Sequence, residues 1–358
     1  MRPIEEACYW LAALPKHEPR PLEKPATHDL GVLGAGLTGL WTAIFLKELD
    51  PSRDVAVVEQ GIAAYGASGR NAGMLAETID HTHGLAIQHF GAAEARRLAA
   101  LGEENAKELT DFIRTRSIAC DWEPSGRFMA SFTPAHLEEA RRNVDIAESL
   151  GIQTHRLLSK EEMQAEVHSP RYLGGLEVKG GGIMDPARFT DGLRKEAERL
   201  GVRVYERTKV TAVEEDGAGV RICANGTAIR ARRAILATSA YTHHLVPAVR
   251  HRFIPLYDYI LVSEPLTKAQ WEAIGWKGRQ GITDGRTFFN YYRPTADGRI
   301  LWGTSEAHYW GGNRVDEGCD HSEKHYASLK ASWKETFPQL AALEWPYAWG
   351  GAICNCAP

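Results

Sequence analysis

The sequence lacks any apolar run long enough to cross a membrane. A spanning helix needs roughly 18 consecutive apolar residues, and no stretch of this 358-residue chain approaches that length. The N-terminus carries Glu5 and Glu6 where a secretory signal peptide would carry positive charge. From these two absences we expect a cytoplasmic protein with no membrane span.

The chain also lacks an excess of basic residues and a dense cysteine pattern. It has 42 basic against 46 acidic residues and a net charge of -4, so nucleic acid is not an expected partner. Its 6 cysteines are too scattered for a disulfide framework and are expected to be mostly free thiols. The length and the ordinary globular composition predict two domains and a full hydrophobic core.

The most informative stretch lies near the N-terminus, where an apolar strand leads into the motif Gly34-x-Gly36-x-x-Gly39. A helical run over 41–49 follows, and a strand over 55–59 ends in an acid about 20 residues past the last glycine. This order and spacing predict a dinucleotide-binding unit. From the residues alone, both FAD and NAD remain candidate ligands.

Each part of such a unit has a physical role. Gly34 makes the turn, Gly36 lets the backbone approach a pyrophosphate, and Gly39 lets the helix lie close to the strand. The free N–H groups at the helix start would bind the phosphates. Glu59 would accept hydrogen bonds from a ribose diol.

The rest of the chain alternates helices and strands. Helices are expected over 92–116 and 136–150, and a third begins at Pro186 with Asp185 as its N-cap. A buried strand is expected over 233–240, and Asn225-Gly226 is typical of a two-residue hairpin turn. Residues 1–27 contain five prolines and are interpreted as an extension, with a short amphipathic piece around Trp10 that packs on the body.

Several of these features together resemble the FAD-dependent D-amino-acid oxidase superfamily, which includes glycine, sarcosine and gamma-glutamylputrescine oxidases. They are the glycine motif, the Asp185-Pro186-x-Arg188-Phe189 helix start and the strand ending in Ala237-Thr238-Ser239. The sequence GASGRNAG at 66–73 and the stretch from Tyr291-Tyr292-Arg293-Pro294 to Arg299 look closest to the gamma-glutamylputrescine oxidase-like branch.

The resemblance implies an α/β fold in which a Rossmann-like FAD-binding domain is interleaved with an α+β substrate domain built on an antiparallel sheet. The FAD-binding domain would comprise 28–80 and 183–245, and the substrate domain 81–182 and 246–345. Members of the superfamily continue well beyond the element that matches Trp349-Gly350-Gly351. Residues 346–358 are therefore expected to be a shortened return toward the FAD domain.

The resemblance also implies FAD as the cofactor, held without a covalent bond. The expected cofactor-binding residues are Gly34, Gly36, Leu37, Thr38, Gly39, Glu59, Gln60, Ser68, Arg70, Asn71, Ala72, Gly73, Val210, Thr238 and Ser239. Cys354 resembles the position of the cysteine that carries flavin covalently in monomeric sarcosine oxidases. The rest of that element is missing, which makes covalent attachment the lesser alternative.

The expected reaction is hydride transfer from the carbon bearing an amine to flavin N5, which gives an imine that water hydrolyses. An amine or amino-acid oxidase (EC 1.4.3 or 1.5.3) with molecular oxygen as acceptor is the first hypothesis. The expected catalytic residues are Arg293, which would clamp a carboxylate, Tyr291, which would orient the amine, and Arg70 beside the flavin. Strand alternation places Tyr291 and Arg293 on one face.

Other residues are weaker candidates. Tyr257 and Tyr259 could line the substrate pocket, and His81 and His83 could stand at its entrance. His321 and His325 have zinc-like spacing, but no fourth ligand is evident and no metal is expected. The alternatives to an oxidase are a dehydrogenase that uses a quinone or another acceptor, a catalytically silent flavin-binding protein and an NAD-linked enzyme.

Overall fold

The computed structural model describes residues 2–78 and 82–356, in which strands alternate with helices along the chain. The strands, in chain order, are β1 Ala26–Leu33, β2 Val55–Val58, β3 Met74–Leu75, β4 Arg127–Ala130, β5 His155–Leu158, β6 Gly175–Val178, β7 Gly182–Ile183, β8 Arg203–Tyr205, β9 Val210–Asp216, β10 Gly219–Ala224, β11 Thr227–Leu236, β12 Phe253–Val262, β13 Gly281–Asp284, β14 Asn290–Pro294, β15 Ile300–Thr304, β16 His308–Tyr309 and β17 Tyr347–Cys356.

The helices differ widely in length. They are α1 Ile4–Ala7, α2 Tyr9–Ala12, α3 Leu37–Leu49, α4 Ala67–Arg70, α5 His83–Thr115, α6 Pro134–Ser149, α7 Lys160–Glu166, α8 Pro186–Arg199, α9 Thr242–Leu245, α10 Lys268–Ile274 and α11 Glu323–Thr336. α5 is the longest, and the backbone kinks within it at Gly91. Within 2–78 and 82–356, no helix combines the length and the apolar character that a membrane crossing requires.

The first sheet has the strand order β8-β2-β1-β11-β10-β9. β8, β2, β1 and β11 are parallel, whereas β9, β10 and β11 form an antiparallel meander. α3 and α8 pack together, and their apolar residues share a core with β1, β2 and β8. Parallel strands joined through helices make this an α/β layer, which confirms the expected fold class.

The second sheet has the order β16-β12-β15-β14-β13-β4-β6-β5, with β17 also paired to β12. Its pairs are antiparallel except for β13 with β4. One face packs against α11 in a core rich in aromatic residues, which include Tyr292, Trp302 and Trp333. Side chains on the opposite face line a cavity.

Two local predictions are confirmed. Asp185 caps α8, since its Oδ1 accepts hydrogen bonds at 2.9 Å from the backbone N–H groups of both Ala187 and Arg188. Pro186 occupies the first helical turn, where its missing N–H has no cost. Asn225 and Gly226 join β10 to β11 with φ values of 49° and 75°, as a two-residue hairpin turn requires.

The predicted buried strand over 233–240 is wrong in both extent and burial. β11 starts earlier and ends at Leu236, and Arg232, Arg233 and Leu236 are exposed. It pairs with β1 as far as Leu236 but with β10 only as far as Ala231. Its last residues therefore have a neighbouring strand on one side alone, which leaves part of their surface uncovered.

The N-terminal extension packs into the body of the protein. Tyr9, Trp10 and Leu11 are buried in a cluster that also contains Ile260 and Trp349. Tyr9 donates a hydrogen bond from its hydroxyl to Asp297 Oδ1 at 2.7 Å. The extension is thus bound to the second sheet by both apolar contacts and hydrogen bonds.

Candidate functional site

The turn between β1 and α3 leaves no room for side chains at two glycines. Gly34 has φ +104°, and a Cβ there would lie 2.6 Å from the carbonyl oxygen of Ala237. A Cβ at Gly39 would lie 1.9 Å from the carbonyl oxygen of Gly34. The first glycine therefore permits the turn, and the other lets α3 start directly against it.

The start of α3 is a site suited to an anion. Gly36 is the N-cap and provides no side-chain cap, while Leu37 N donates to Ser68 Oγ at 2.9 Å. A Cβ at Gly36 would lie 2.8 Å from the same hydroxyl oxygen. Thr38 and Gly39 belong to the first turn, where backbone N–H groups have no intrahelical acceptor and carry the positive end of the helix dipole.

Glu59 follows β2 and lies beside this turn. Its Oε2 accepts a hydrogen bond from Ala35 N and its Oε1 accepts one from Gly61 N, each at 2.9 Å. Burial raises the pKa of its carboxyl, and the two backbone hydrogen bonds oppose that shift. Gln60, the next residue, is exposed. The acid is thus held by backbone groups at the carboxyl end of a parallel strand.

The other side of the turn is formed by the residues after β11. Ala237 N donates to the carbonyl of Leu33 at 2.8 Å, and Thr238 and Ser239 come next in the chain. Thr238 Oγ1 lies 2.9 Å from Thr242 Oγ1. Val210 stands at the start of β9, half-buried against the apolar cluster that includes Leu33.

The loop around α4 contacts the second sheet through the buried Arg70, whose Nη1 donates to the carbonyl of Gly350 on β17 at 3.3 Å. Its Nη1 lies 2.8 Å from Asp320 Oδ1, and its Nε donates to the carbonyl of Tyr65 at 2.6 Å. Burial raises the pKa of Asp320 to about 6, and Arg70 opposes that shift. Arg70 Nη2 is buried and has no hydrogen-bond partner among the described residues.

The loop is also fixed by its own hydrogen bonds. Asn71 Oδ1 accepts from Gly73 N at 2.8 Å, and its Nδ2 donates to the carbonyls of Ala67 and Ser68. The carbonyl of Asn71 accepts from Trp10 Nε1 at 2.9 Å. The N-terminal extension therefore supports the loop directly.

A cavity of about 440 Å³ lies between this loop and the free face of the second sheet. Among the residues that line it are Arg70, Asn71 and Ala72 from the loop, and Arg127, Asp258, Thr283, Phe289, Tyr291 and Gly351 from the second sheet and its connections. The structure thus brings Arg70 and Tyr291, both predicted to be catalytic, to one cavity.

Asp258 is a charged residue of this cavity that the sequence reasoning missed. It accepts a hydrogen bond from the hydroxyl of Tyr291 at 2.6 Å. Burial raises the pKa of its carboxyl to about 6, and the hydrogen bond from Tyr291 opposes that shift. A signal was present, because Asp258 is the one charged residue in the apolar run 253–262.

Arg293, in contrast, does not line this cavity. Its Nη1 donates to the carbonyls of Gly73 at 2.9 Å and Met184 at 2.5 Å, and its guanidinium stacks over the Trp10 ring at 5.1 Å. It lies instead at a second cavity of about 260 Å³ on the side of the N-terminal extension. Its Nε and Nη1 donate to backbone carbonyls, so the expected carboxylate clamp does not lie at the first cavity and stays a prediction.

The remaining candidates lie away from the cavity. Tyr257 and Tyr259 are fully buried in the aromatic core on the opposite face of β12, which corrects their expected place in the pocket wall. His81 lies outside the described residues, and His83 packs beside His155. Cys354 packs against the aromatic core rather than lining the cavity.

The two histidines with zinc-like spacing do not form a metal site. His325 stacks on Tyr259 with ring centroids 4.6 Å apart, and its Nδ1 lies 2.6 Å from Ser322 Oγ. In the part of the chain that the structure describes, no group of three His, Cys, Asp or Glu side chains could hold a metal ion.

Comparison with known proteins identifies a matching family model and similar individual proteins. A family model described as FAD dependent oxidoreductase (DAO) matches residues 29–358. The chain is 30% identical to gamma-glutamylputrescine oxidoreductase of Escherichia coli (strain K12) over 347 residues, which is 96% of this chain and 78% of that protein. It is 28% identical to the probable oxidoreductase OrdL of Haemophilus influenzae over 93% of this chain and 74% of that protein.

A solved structure shares the fold. The crystal structure of L-proline dehydrogenase from P. horikoshii superposes with a TM-score of 0.73 at 15% sequence identity. The match covers 92% of this chain and 82% of that one. At this level of identity the likeness concerns the fold alone.

Proposed function

Because this chain belongs to the FAD dependent oxidoreductase (DAO) family, we propose that it oxidises the C–N bond of an amine or amino acid. FAD is the cofactor of the family. The name of the relative from Escherichia coli, gamma-glutamylputrescine oxidoreductase, supports a nitrogen-containing substrate. Molecular oxygen is the proposed electron acceptor, and a carbonyl compound the proposed final product.

The residues present fit FAD. Gly36 and the start of α3 would hold the pyrophosphate through backbone N–H groups, with the Ser68 hydroxyl beside them. Glu59 would bind the ribose. Arg70 lines the cavity, and its Nη2 is buried without a partner among the described residues.

The observation that carries the proposal is the continuity between the glycine turn and the cavity. A single short loop places Ser68 at the N-terminus of α3 and Asn71 and Ala72 on the cavity wall. A dinucleotide whose phosphates lie at the turn would therefore extend along this loop toward the face of the second sheet. The same cavity presents Tyr291 and Asp258 to a small molecule.

FAD, when bound, supplies the hydride acceptor for the oxidation. The protein's own contribution is to position the substrate and to limit the access of water. The Tyr291 hydroxyl would orient the substrate nitrogen, and the walls formed by Phe289, Ala352 and Ile353 would pack against its carbon chain. Arg70 would hold the loop in place through its ion pair with Asp320.

A test begins with the absorbance spectrum of the purified protein with and without added FAD. The proposal predicts a flavin spectrum that bleaches under anaerobic conditions when an amine or amino acid is added. Admission of oxygen should then restore the colour and produce peroxide. Retained bleaching with reoxidation only by a dye or quinone would favour a dehydrogenase, whereas protein that never binds FAD would contradict the proposal.

A further inference from the structure

Asp258 points into the cavity because of its register on β12. Its neighbours Tyr257 and Tyr259 are fully buried in the aromatic core, and side chains alternate between the two faces of a strand. Asp258 is half-buried, and the surface it keeps belongs to the cavity wall. Its carboxylate is therefore presented to whatever small molecule occupies the cavity.

This carboxylate has no basic partner within residues 2–78 and 82–356. The hydroxyl of Tyr291 is its side-chain hydrogen-bond donor, at 2.6 Å, and no lysine, arginine or histidine forms an ion pair with it. A half-buried carboxylate without a cationic partner destabilises the folded protein. Acids in such surroundings cluster at functional sites.

The other charges at the cavity wall are already balanced. Arg70 pairs with Asp320 at 2.8 Å, and Arg127 lies 3.4 Å from Glu77. Each of the two arginines that line the cavity thus has a carboxylate partner outside the lining, whereas Asp258 has no cationic partner among the described residues. Asp258 is therefore the group of the wall whose charge a ligand cation would neutralise.

The geometry of the neighbouring strand maintains the pair of Asp258 and Tyr291. Tyr291 lies on β14 and Asp258 on β12, with β15 between them. Gly303 of β15 is opposite Tyr291, and a Cβ there would lie 2.1 Å from the tyrosine ring. The ring can cross β15 to reach Asp258 because Gly303 has no side chain.

Building on the proposed function, we propose that Asp258, with Tyr291, binds the protonated amino group of the substrate. The Asp258 carboxylate supplies the negative charge, and the Tyr291 hydroxyl oxygen beside it supplies a further acceptor. The apolar side chains of Phe289 and Ile353 on the same wall suit the carbon chain that bears the amine.

The test uses three probes of similar shape and different charge. Tert-butylamine is a cation at neutral pH and has no hydrogen on the carbon that bears nitrogen, so it binds without being oxidised. Tert-butanol is its neutral counterpart and pivalate its anionic one. Binding of each is measured by calorimetry on the wild-type protein and on Asp258→Asn, Tyr291→Phe and the exposed control Asp145→Asn.

The wild type should bind tert-butylamine more tightly than either other probe. Asp258→Asn should weaken that binding by about 10- to 100-fold, the range expected for a lost hydrogen bond to a charged group. Tyr291→Phe should weaken it less, and Asp145→Asn should leave it unchanged. Equal binding by wild type and Asp258→Asn, or preferential binding of pivalate, would overturn the inference.

Flavin reduction separates this inference from the proposed function. If amines reduce the flavin in the wild type and equally well in Asp258→Asn, the proposed function stands and the role of Asp258 is refuted. If no amine or amino acid reduces the flavin but cation binding still depends on Asp258, the cation site stands and the proposed oxidation fails.

Discussion

The turn between β1 and α3 and the wall of the larger cavity present different chemical groups to a ligand, and they are built from different parts of the chain. At the turn, Gly34, Gly36 and Gly39 lie within six residues, and their function is to have no side chain. At the wall, Asp258 and Tyr291 are 33 residues apart in sequence and meet across β15. The turn exposes the backbone to a ligand, whereas the wall exposes side-chain charge.

The difference shows why the two regions tolerate change differently. A side chain added at Gly34 or Gly39 meets backbone carbonyl oxygens, and one added at Gly36 meets the Ser68 hydroxyl at the start of α3. A side chain exchanged at the wall for one of equal shape changes the charge of the cavity and leaves the sheet in place. We therefore expect substitutions at the turn to affect cofactor retention and substitutions at the wall to affect substrate choice.

The largest effect is expected from Gly36→Val. A Cβ at this position would lie 2.8 Å from Ser68 Oγ, and the added methyl groups would cover the start of α3 where a pyrophosphate must approach. Purified Gly36→Val should retain almost no FAD, measured as the ratio of flavin to protein absorbance.

The control for this prediction is Gly311→Ala. Gly311 has open space around its Cβ position and no positive φ, so the variant should retain FAD like the wild type. Gly36→Val protein that is folded and fully loaded with FAD would show that the pyrophosphate lies elsewhere. The turn would then not be the region that determines cofactor retention.

The sequence predicts the turn better than the wall for a physical reason. The turn depends on local spacing, so Gly34, Gly36, Gly39 and the acid that follows β2 can be identified directly. The wall depends on strand register and on which face each strand buries. Sequence alternation placed Tyr291 and Arg293 on one face, but it could not show that the two residues reach separate cavities.

The same limit explains the error at β12. Tyr257 and Tyr259 are chemically attractive pocket residues, but their side chains face the aromatic core, and the acid between them faces the cavity. Deciding between the two faces required the position of α11, which packs against β12 from the far end of the chain. Long-range packing of this kind leaves no local signal in the sequence.

A smaller effect is expected from Arg293→Ala, on the stability of the protein rather than on the retention of FAD. Removal of the guanidinium takes the Arg293 donor from the carbonyl of Met184, leaves the carbonyl of Gly73 with the Met184 N–H as donor, and empties the space beside Trp10. We expect a loss of about 2–4 kcal/mol in the free energy of unfolding, measured by denaturant titration.

The matched control is Arg97→Ala on the exposed surface of α5, where Arg97 forms an ion pair with Glu94 one helical turn away. This variant should change stability by less than about 0.5 kcal/mol. If Arg293→Ala were as stable as the wild type but bound acidic substrates poorly, Arg293 would be a substrate residue after all. The second cavity, which Arg293 lines, would then also take part in substrate binding.

The smallest effect expected is a gain in stability in Asp258→Asn that depends on pH. Burial raises the pKa of Asp258 to about 6 from an ordinary value of 3.8, so the folded state binds this proton more tightly than the unfolded state. The cost of the buried charge is therefore fully present above about pH 6 and disappears as the pH falls toward 4. Asparagine keeps an acceptor for Tyr291 without the charge.

Asp258→Asn should accordingly be about 1–3 kcal/mol more stable than the wild type near pH 8, and the difference should vanish near pH 4. Denaturant titrations of both proteins at the two pH values measure it, and the comparison between variant and wild type removes the shared titration of Asp185 and Asp320, whose pKa values are also raised to about 6. A variant less stable than the wild type at high pH would mean that the carboxylate has a cationic partner in the free protein. The Asp258 carboxylate would then stabilise the free protein, and its charge would no longer indicate a bound cation.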